Sequence, residues 1–296
     1  MRTYITAILT LMLLVLTACG SNSDESENVD EPENNNIEEP ENEPDDTVNN
    51  TSNNDMNNEE TEGNEDNNET NDPDEEPEAI EPTYEVNLEP ERKWYIEPID
   101  DADEEVVLIT IDDAPDKYAL EMAQTLKDLD VNAIFFVNGH LLESEEKKEV
   151  LKEIYDMGFM IGNHTYSHSS LQDLSEEEQK EEIISVNDMV EEVIGERPLF
   201  FRAPFGENTD YSKQIADEEG MILMNWSYGY DWEPDYQTQE AITDIMVNTE
   251  LLGNGANMLM HDREWTNAAL HDIVKGLQDK GYEMLDPKLI KTKASE

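Results

Sequence analysis

The chain has 296 residues, 74 of them acidic and 18 basic, for a formal net charge of -56 at neutral pH. A field of that sign repels phosphate, which excludes nucleic acid and other polyanions as partners. The single cysteine allows no internal disulfide, so any exported domain has to stand on its hydrophobic core.

The first segment is an apolar stretch, residues 5–16, after a lone Arg2. At about a dozen residues it is too short to span a bilayer and is shaped like a secretory signal. It runs into Leu16-Thr17-Ala18-Cys19-Gly20, which resembles the lipobox of bacterial lipoproteins. That resemblance implies a signal peptide over residues 1–19 and lipid on Cys19. The mature protein would then be extracytoplasmic, anchored to the cell membrane and facing the cell wall. An ordinary signal peptide with a chance cysteine is the alternative. Residues 20–91 carry 28 of the acids, and from residue 3 to residue 91 there is no Lys, Arg or His. Rich in Asn, Glu, Asp and Pro and poor in apolar residues, this stretch cannot bury enough surface to offset ordering entropy and is predicted to be a disordered acidic linker. As a random coil of about 70 residues it would average about 45 to 50 Å end to end. The remaining 46 acids against 17 basic residues leave residues 92–296 acidic as well, a surface suited to salt, where such charges are screened.

From residue 92 the pattern changes to short apolar runs alternating with amphipathic segments, which predicts an α/β domain with a parallel sheet or barrel. Seven strands are expected, at 106–111, 133–137, 159–162, 199–202, 221–226, 257–260 and 282–285. Helices are expected at 117–129, 145–157, 176–194, 212–219, 239–251 and 266–280. Ser175 with Glu178 three positions later is a capping-box signature for the third helix.

Chemistry-bearing residues fall at or just beyond the ends of these strands, where α/β barrels gather their catalytic groups. Thr110-Ile111-Asp112-Asp113-Ala114-Pro115 closes the first strand. His164-Thr165-Tyr166-Ser167-His168 follows the third and places two imidazoles four positions apart, where one helical turn would aim both at one metal. Alone, that spacing equally suits surface or capping histidines. Arg202-Ala203-Pro204-Phe205-Gly206, Asp231-Trp232 and Met258-Leu259-Met260-His261-Asp262 complete the set.

In order and spacing, these five stations resemble those of the polysaccharide deacetylases, the NodB-like enzymes of carbohydrate esterase family 4. The resemblance covers nearly all of residues 109–285 and implies a distorted (β/α) barrel of about seven strands. It also implies metal-dependent hydrolysis of N-acetyl groups on polysaccharide, and the lipoprotein tether, which would place the domain at the cell wall, favours peptidoglycan N-acetylglucosamine as the substrate. Asp113, His164 and His168 would hold a divalent metal, zinc by preference, with cobalt or nickel as alternatives. Asp112 would act as base, oriented by Arg202, and His261 as acid, supported by Asp231. The backbone N–H of Phe205 would face the oxyanion, and Trp232 and Leu259 would line a slot for the acetyl methyl. Two positions depart from the family pattern. Ala114 stands where the family has glycine, and a positive φ or close approach there would be strained by its methyl. Tyr228 stands where an additional aspartate is often found. Two rival functions use the same residues: a weakly active or inactive wall-binding lipoprotein, and an esterase removing O-acetyl groups such as those of xylan.

Overall fold

The computed structural model describes residues 81–295. The signal segment, Cys19 and most of the acidic linker lie outside the described residues. Within the stretch expected to be linker, residues 84–86 already form a strand. A hairpin-like pair, β1 (Tyr84–Val86) and β2 (Ile96–Pro98), runs antiparallel with Tyr84 opposite Pro98. Tyr84 is buried and also bridges to Ile290 near the C-terminus. A run of charged residues between the two strands hides them from a periodicity search, because each strand is only three residues long. Their docking requires a glycine. Ile96 N–H donates to Gly255 O at 2.7 Å, and a Cβ at Gly255 would sit 1.9 Å from Ile96 O.

The main sheet has seven parallel strands. In chain order they are β3 (Val106–Ala114), β4 (Ile134–Val137), β5 (Met160–Asn163), β6 (Phe200–Phe201), β7 (Ile222–Leu223), β8 (Ala256–His261) and β9 (Glu283–Met284). Their spatial order is β7-β6-β5-β4-β3-β8, with β9 on the start of β3. Beyond β7 the chain reaches the opposite edge: Ser227 N–H donates to Asn257 O and Leu259 N–H to Tyr228 O, both at 2.8 Å. The sheet is therefore curled into a half-barrel, as expected. Among the described residues six α-helices connect the strands: α1 (Ala119–Asp128), α2 (Glu145–Asp156), α3 (Glu176–Ile194), α4 (Asp210–Glu218), α5 (Gln239–Asn248) and α6 (Glu264–Asp279). The capping box on α3 is present in both directions. α4 begins earlier than predicted because Thr209 caps it, accepting from Ser212 N–H.

Strand periodicity decides which residues reach the site. Val107, Ile109 and Ile111 of β3 pack in the cluster that includes α1 and α6, whereas Val106 and Leu108 pack with Ile134, Phe136 and Phe200 in a second core. Alternation by two places Thr110 and Asp112 on the same face as Leu108, inside the half-barrel. β7 is shorter than the predicted strand 221–226. The carbonyls of Met224 and Asn225, which would extend its ladder, accept hydrogen bonds from Arg202 instead.

Candidate active site

Arg202 leaves the end of β6 and points into the half-barrel with no exposed surface. Its Nη1 donates to Asp112 Oδ1 at 2.7 Å and to Thr110 Oγ1 at 2.8 Å. Nη2 donates to Asn225 O at 2.9 Å and Nε to Met224 O at 3.2 Å. The Phe136 ring lies 4.2 Å from the guanidinium carbon. That ring needs Gly162 opposite it on β5, where a Cβ would come within 2.5 Å of its edge. Burial lowers the Arg202 pKa while Asp112 acts to raise it, and the guanidinium remains a cation. Asp112 is thereby fixed, with Oδ2 3.5 Å from His164 Nε2.

The two histidines sit in a loop after β5 and not on a helical turn. Thr165 and His168 have φ of 66° and 60°, which a right-handed helix cannot contain. Buried asparagines hold this loop. Asn163 Oδ1 accepts from Thr165 N–H at 2.9 Å, and Asn138 Nδ2 donates to His164 O at 2.7 Å. The spacing of four thus serves convergence through irregular backbone. His164 Nδ1 donates to Arg202 O at 2.7 Å, which leaves its Nε2 lone pair available. His168 Nε2 and His164 Nε2 lie 3.5 and 3.9 Å from Asp113 Oδ1. Tetrahedral zinc bonds of about 2.0 to 2.1 Å would set ligand atoms roughly 3.3 Å apart, and with all three atoms within 4.8 Å of one another these two nitrogens and one oxygen could hold a divalent ion. Burial, and then the neighbouring His164, lowers the His168 pKa, the direction that favours the neutral ring metal binding requires.

Ala114 carries no strain. The positive φ here, 63°, falls on Asp113, where β3 shifts its register on β4 and aspartate tolerates it, while Ala114 is the fully buried last residue of β3. Tyr228 is a core residue whose hydroxyl donates to Met246 O at 2.9 Å, so it offers nothing to a ligand.

Opposite Asp112 in the parallel register stands His261, at the end of β8. Its Nδ1 and backbone N–H donate to the two oxygens of Asp231, at 2.6 and 2.7 Å. Asp231 is fully buried and also accepts from Thr266 Oγ1 at 2.7 Å. Burial alone would lower the His261 pKa, but the hydrogen bond and charge of Asp231 outweigh it and the net direction is upward. Asp112, Asp113, His164, His168 and His261 all open onto one cavity of about 410 Å³. Phe205 and Trp232, 63% and 42% exposed, stand at its mouth, and Leu259 is buried in its wall. Trp226 joins this wall, edge-on to Trp232 at 6.2 Å.

Sequence reasoning gave no role to Asp262 or Arg263. The Asp262 carboxylate accepts the N–H groups of Asp116, Lys117, Tyr118 and Ala119 at 2.6 to 3.1 Å, capping α1 from across the fold. The local signal was present as an absence: the residue before α1 is Tyr118, which has no side-chain cap. Arg263 Nη2 donates to Asp113 Oδ2 at 2.8 Å.

Residues 100–250 match the family model described as polysaccharide deacetylase. His261 lies beyond that stretch and is placed by geometry alone. Among curated relatives, a peptidoglycan-N-acetylglucosamine deacetylase of Bacillus cereus is 29% identical over 63% of this chain and 68% of its own. Among solved structures, peptidoglycan deacetylase PdaC from Bacillus subtilis aligns with a TM-score of 0.56 and 28% identity, covering 62% of this chain and 89% of its own. A pseudoenzyme of carbohydrate esterase family 4 from Bacillus anthracis aligns with a TM-score of 0.57 and 26% identity, covering 64% of this chain and 69% of its own. A fold shared with a pseudoenzyme leaves the burden of activity on the site residues. With the family model spanning more than half of its length, and the buried arginine–aspartate pair, the histidine pair and the supported His261 gathered at one cavity, the chain belongs to the polysaccharide deacetylase family.

Proposed function

We propose that this protein is a zinc-dependent deacetylase that removes N-acetyl groups from peptidoglycan N-acetylglucosamine, working at the outer face of the cell membrane from a lipid on Cys19. The observation that carries the reading is the pairing of Asp112 and His261 across one cavity beside the Asp113, His164 and His168 donor set. A divalent ion on those three side chains would supply Lewis acidity to the amide carbonyl and acidify a water. Asp112, held by Arg202, takes the proton from the attacking water. The water oxygen bonds to the acetyl carbon while the Phe205 N–H faces the developing oxyanion. His261, whose Nδ1 is occupied by Asp231, gives its Nε2 proton to the leaving nitrogen as the carbon–nitrogen bond breaks. Acetate and the free amine are the products. Trp232 and Leu259 provide the apolar surface for the methyl group. Zinc is favoured by a donor set of two nitrogens and one carboxylate with an open position.

The lipobox resemblance at Cys19 and the long acidic segment after it support membrane tethering, which would keep the domain within reach of the wall. The decisive experiment is acetate release by the zinc-loaded protein from N-acetylglucosamine oligomers, purified peptidoglycan and acetylated xylan, with and without chelator. Chelator-sensitive release from the first two supports the reading. Release from xylan alone makes it an O-acetyl esterase, and release from none makes it a binding protein. Detergent phase partition of wild type against Cys19→Ser tests the tether, and unchanged partition would remove it.

A further inference from the structure

Asp113 is held from two sides. Its Oδ1 faces the histidine nitrogens, while its Oδ2 accepts the hydrogen bond from Arg263. Arg263 is the N-cap position of α6, with extended backbone at φ −131° and ψ 152°. Its neighbour Asp262 is fastened to the β3–α1 loop by four N–H groups and donates its own N–H to Asp112 O at 3.0 Å. The turn between β8 and α6 is thus clamped onto the segment that immediately follows the end of β3, where Asp113 sits. Among the described residues, Arg263 is the one Lys or Arg that lines the cavity, and its side chain is 42% exposed.

We propose that Arg263 is a positioning residue for the metal ligand Asp113, turning its carboxylate so that Oδ1 alone is offered to the ion. The inference rests on the metal assignment above. A carboxylate that can rotate about its last torsion presents either oxygen or both. A guanidinium bound to Oδ2 removes that freedom, and hydrogen bonds of this kind to a metal ligand commonly govern affinity. An opposing effect is also present: a cation so close to the site repels a divalent ion. The two effects differ in sign, so substitutions at Arg263 separate them.

Arg263→Met removes both the donor and the charge, whereas Arg263→Lys keeps a charge and a donor of similar reach. The measurement is Zn²⁺ affinity of the full-chain protein by competition with a chromogenic chelator, with thermal unfolding of the metal-free protein as the control for folding. If Arg263 positions Asp113, the Met variant binds zinc about 10- to 100-fold more weakly than wild type. The Lys variant keeps most of the affinity despite its charge. A Met variant that binds zinc as tightly as wild type, or more tightly, overturns the proposal, as does a Lys variant no better than Met. Wild type that binds no zinc would instead defeat the metal assignment itself.

Discussion

Replacing Arg202 by Met should cost more stability than any other single change in the site. The guanidinium is fully buried and donates five hydrogen bonds, including the 2.7 Å ion pair with Asp112, itself 1% exposed. The partners divide into two groups. Asn225 O keeps a hydrogen bond from Asn257 Nδ2 at 2.9 Å, so its loss is softened. Asp112 is left as a buried anion with no cation in contact, and removing one partner of a buried pair typically costs about 3 to 5 kcal/mol. Against a total stability of about 5 to 15 kcal/mol the variant should still fold. With a urea m-value of about 2 kcal/mol per molar, the midpoint should fall by about 2 M. The assay is urea unfolding followed by tryptophan fluorescence, in chelator so that no bound cation compensates Asp112. Arg202→Met combined with Asp112→Leu leaves no lone charge and should recover about half of the loss or more. A single variant costing under about 1 kcal/mol, or a double variant whose cost is the sum of the two singles, would refute the argument. Deacetylation should fall about a hundredfold or more in Arg202→Met, since even about 1 Å of drift in the base is worth that much.

Three further outcomes follow from the geometry. Asp231→Asn removes the charge that holds the His261 pKa up, so the alkaline limb of the rate profile, where the acid loses its proton, should move to lower pH; a limb that stays put would show that His261 is not the acid. The double variant His164→Ala, His168→Ala should keep a cooperative melting transition yet hold no stoichiometric zinc by elemental analysis, and retained zinc would remove those ligands from the assignment. Ala114→Gly should leave acetate release unchanged and cost about 0.5 to 1 kcal/mol, because the strand needs no positive φ there; a strong gain in rate would mean that the alanine does disable the loop.

Most of the half-barrel could be read from the sequence because its signals are local. The six helices and seven main strands announce themselves by periodicity within their own segments, and the start of α3 does so to the residue through Ser175 and Glu178. The strand pair at Tyr84–Val86 and Ile96–Pro98 escaped because its burial depends on Gly255 and Ile290, more than 150 positions away. The site divides along the same line. Asp112, Asp113, His164, His168, Arg202, Asp231 and His261 could be picked out because the motifs that carry them resemble those of the family, and the structure gathers them as a group.

What failed was the geometry assigned to them, and it failed where tertiary partners replace local ones. His164 and His168 were expected on one helical turn, yet Asn138 and Asn163 hold them in a loop with two positive φ angles. An aspartate just ahead of a helix reads locally as that helix's own cap. Asp262 instead caps α1, whose preceding residue Tyr118 cannot, and in doing so ties the loop that follows Asp113 to the end of the strand bearing His261. The same substitution of distant for local support explains Ala114. The strain expected at that position is borne by Asp113, at φ 63°, whose carboxylate is gripped by Arg263. A glycine is dispensable where neighbouring side chains hold an unusual backbone in place, so the departure from the family pattern at Ala114 is compatible with an intact site.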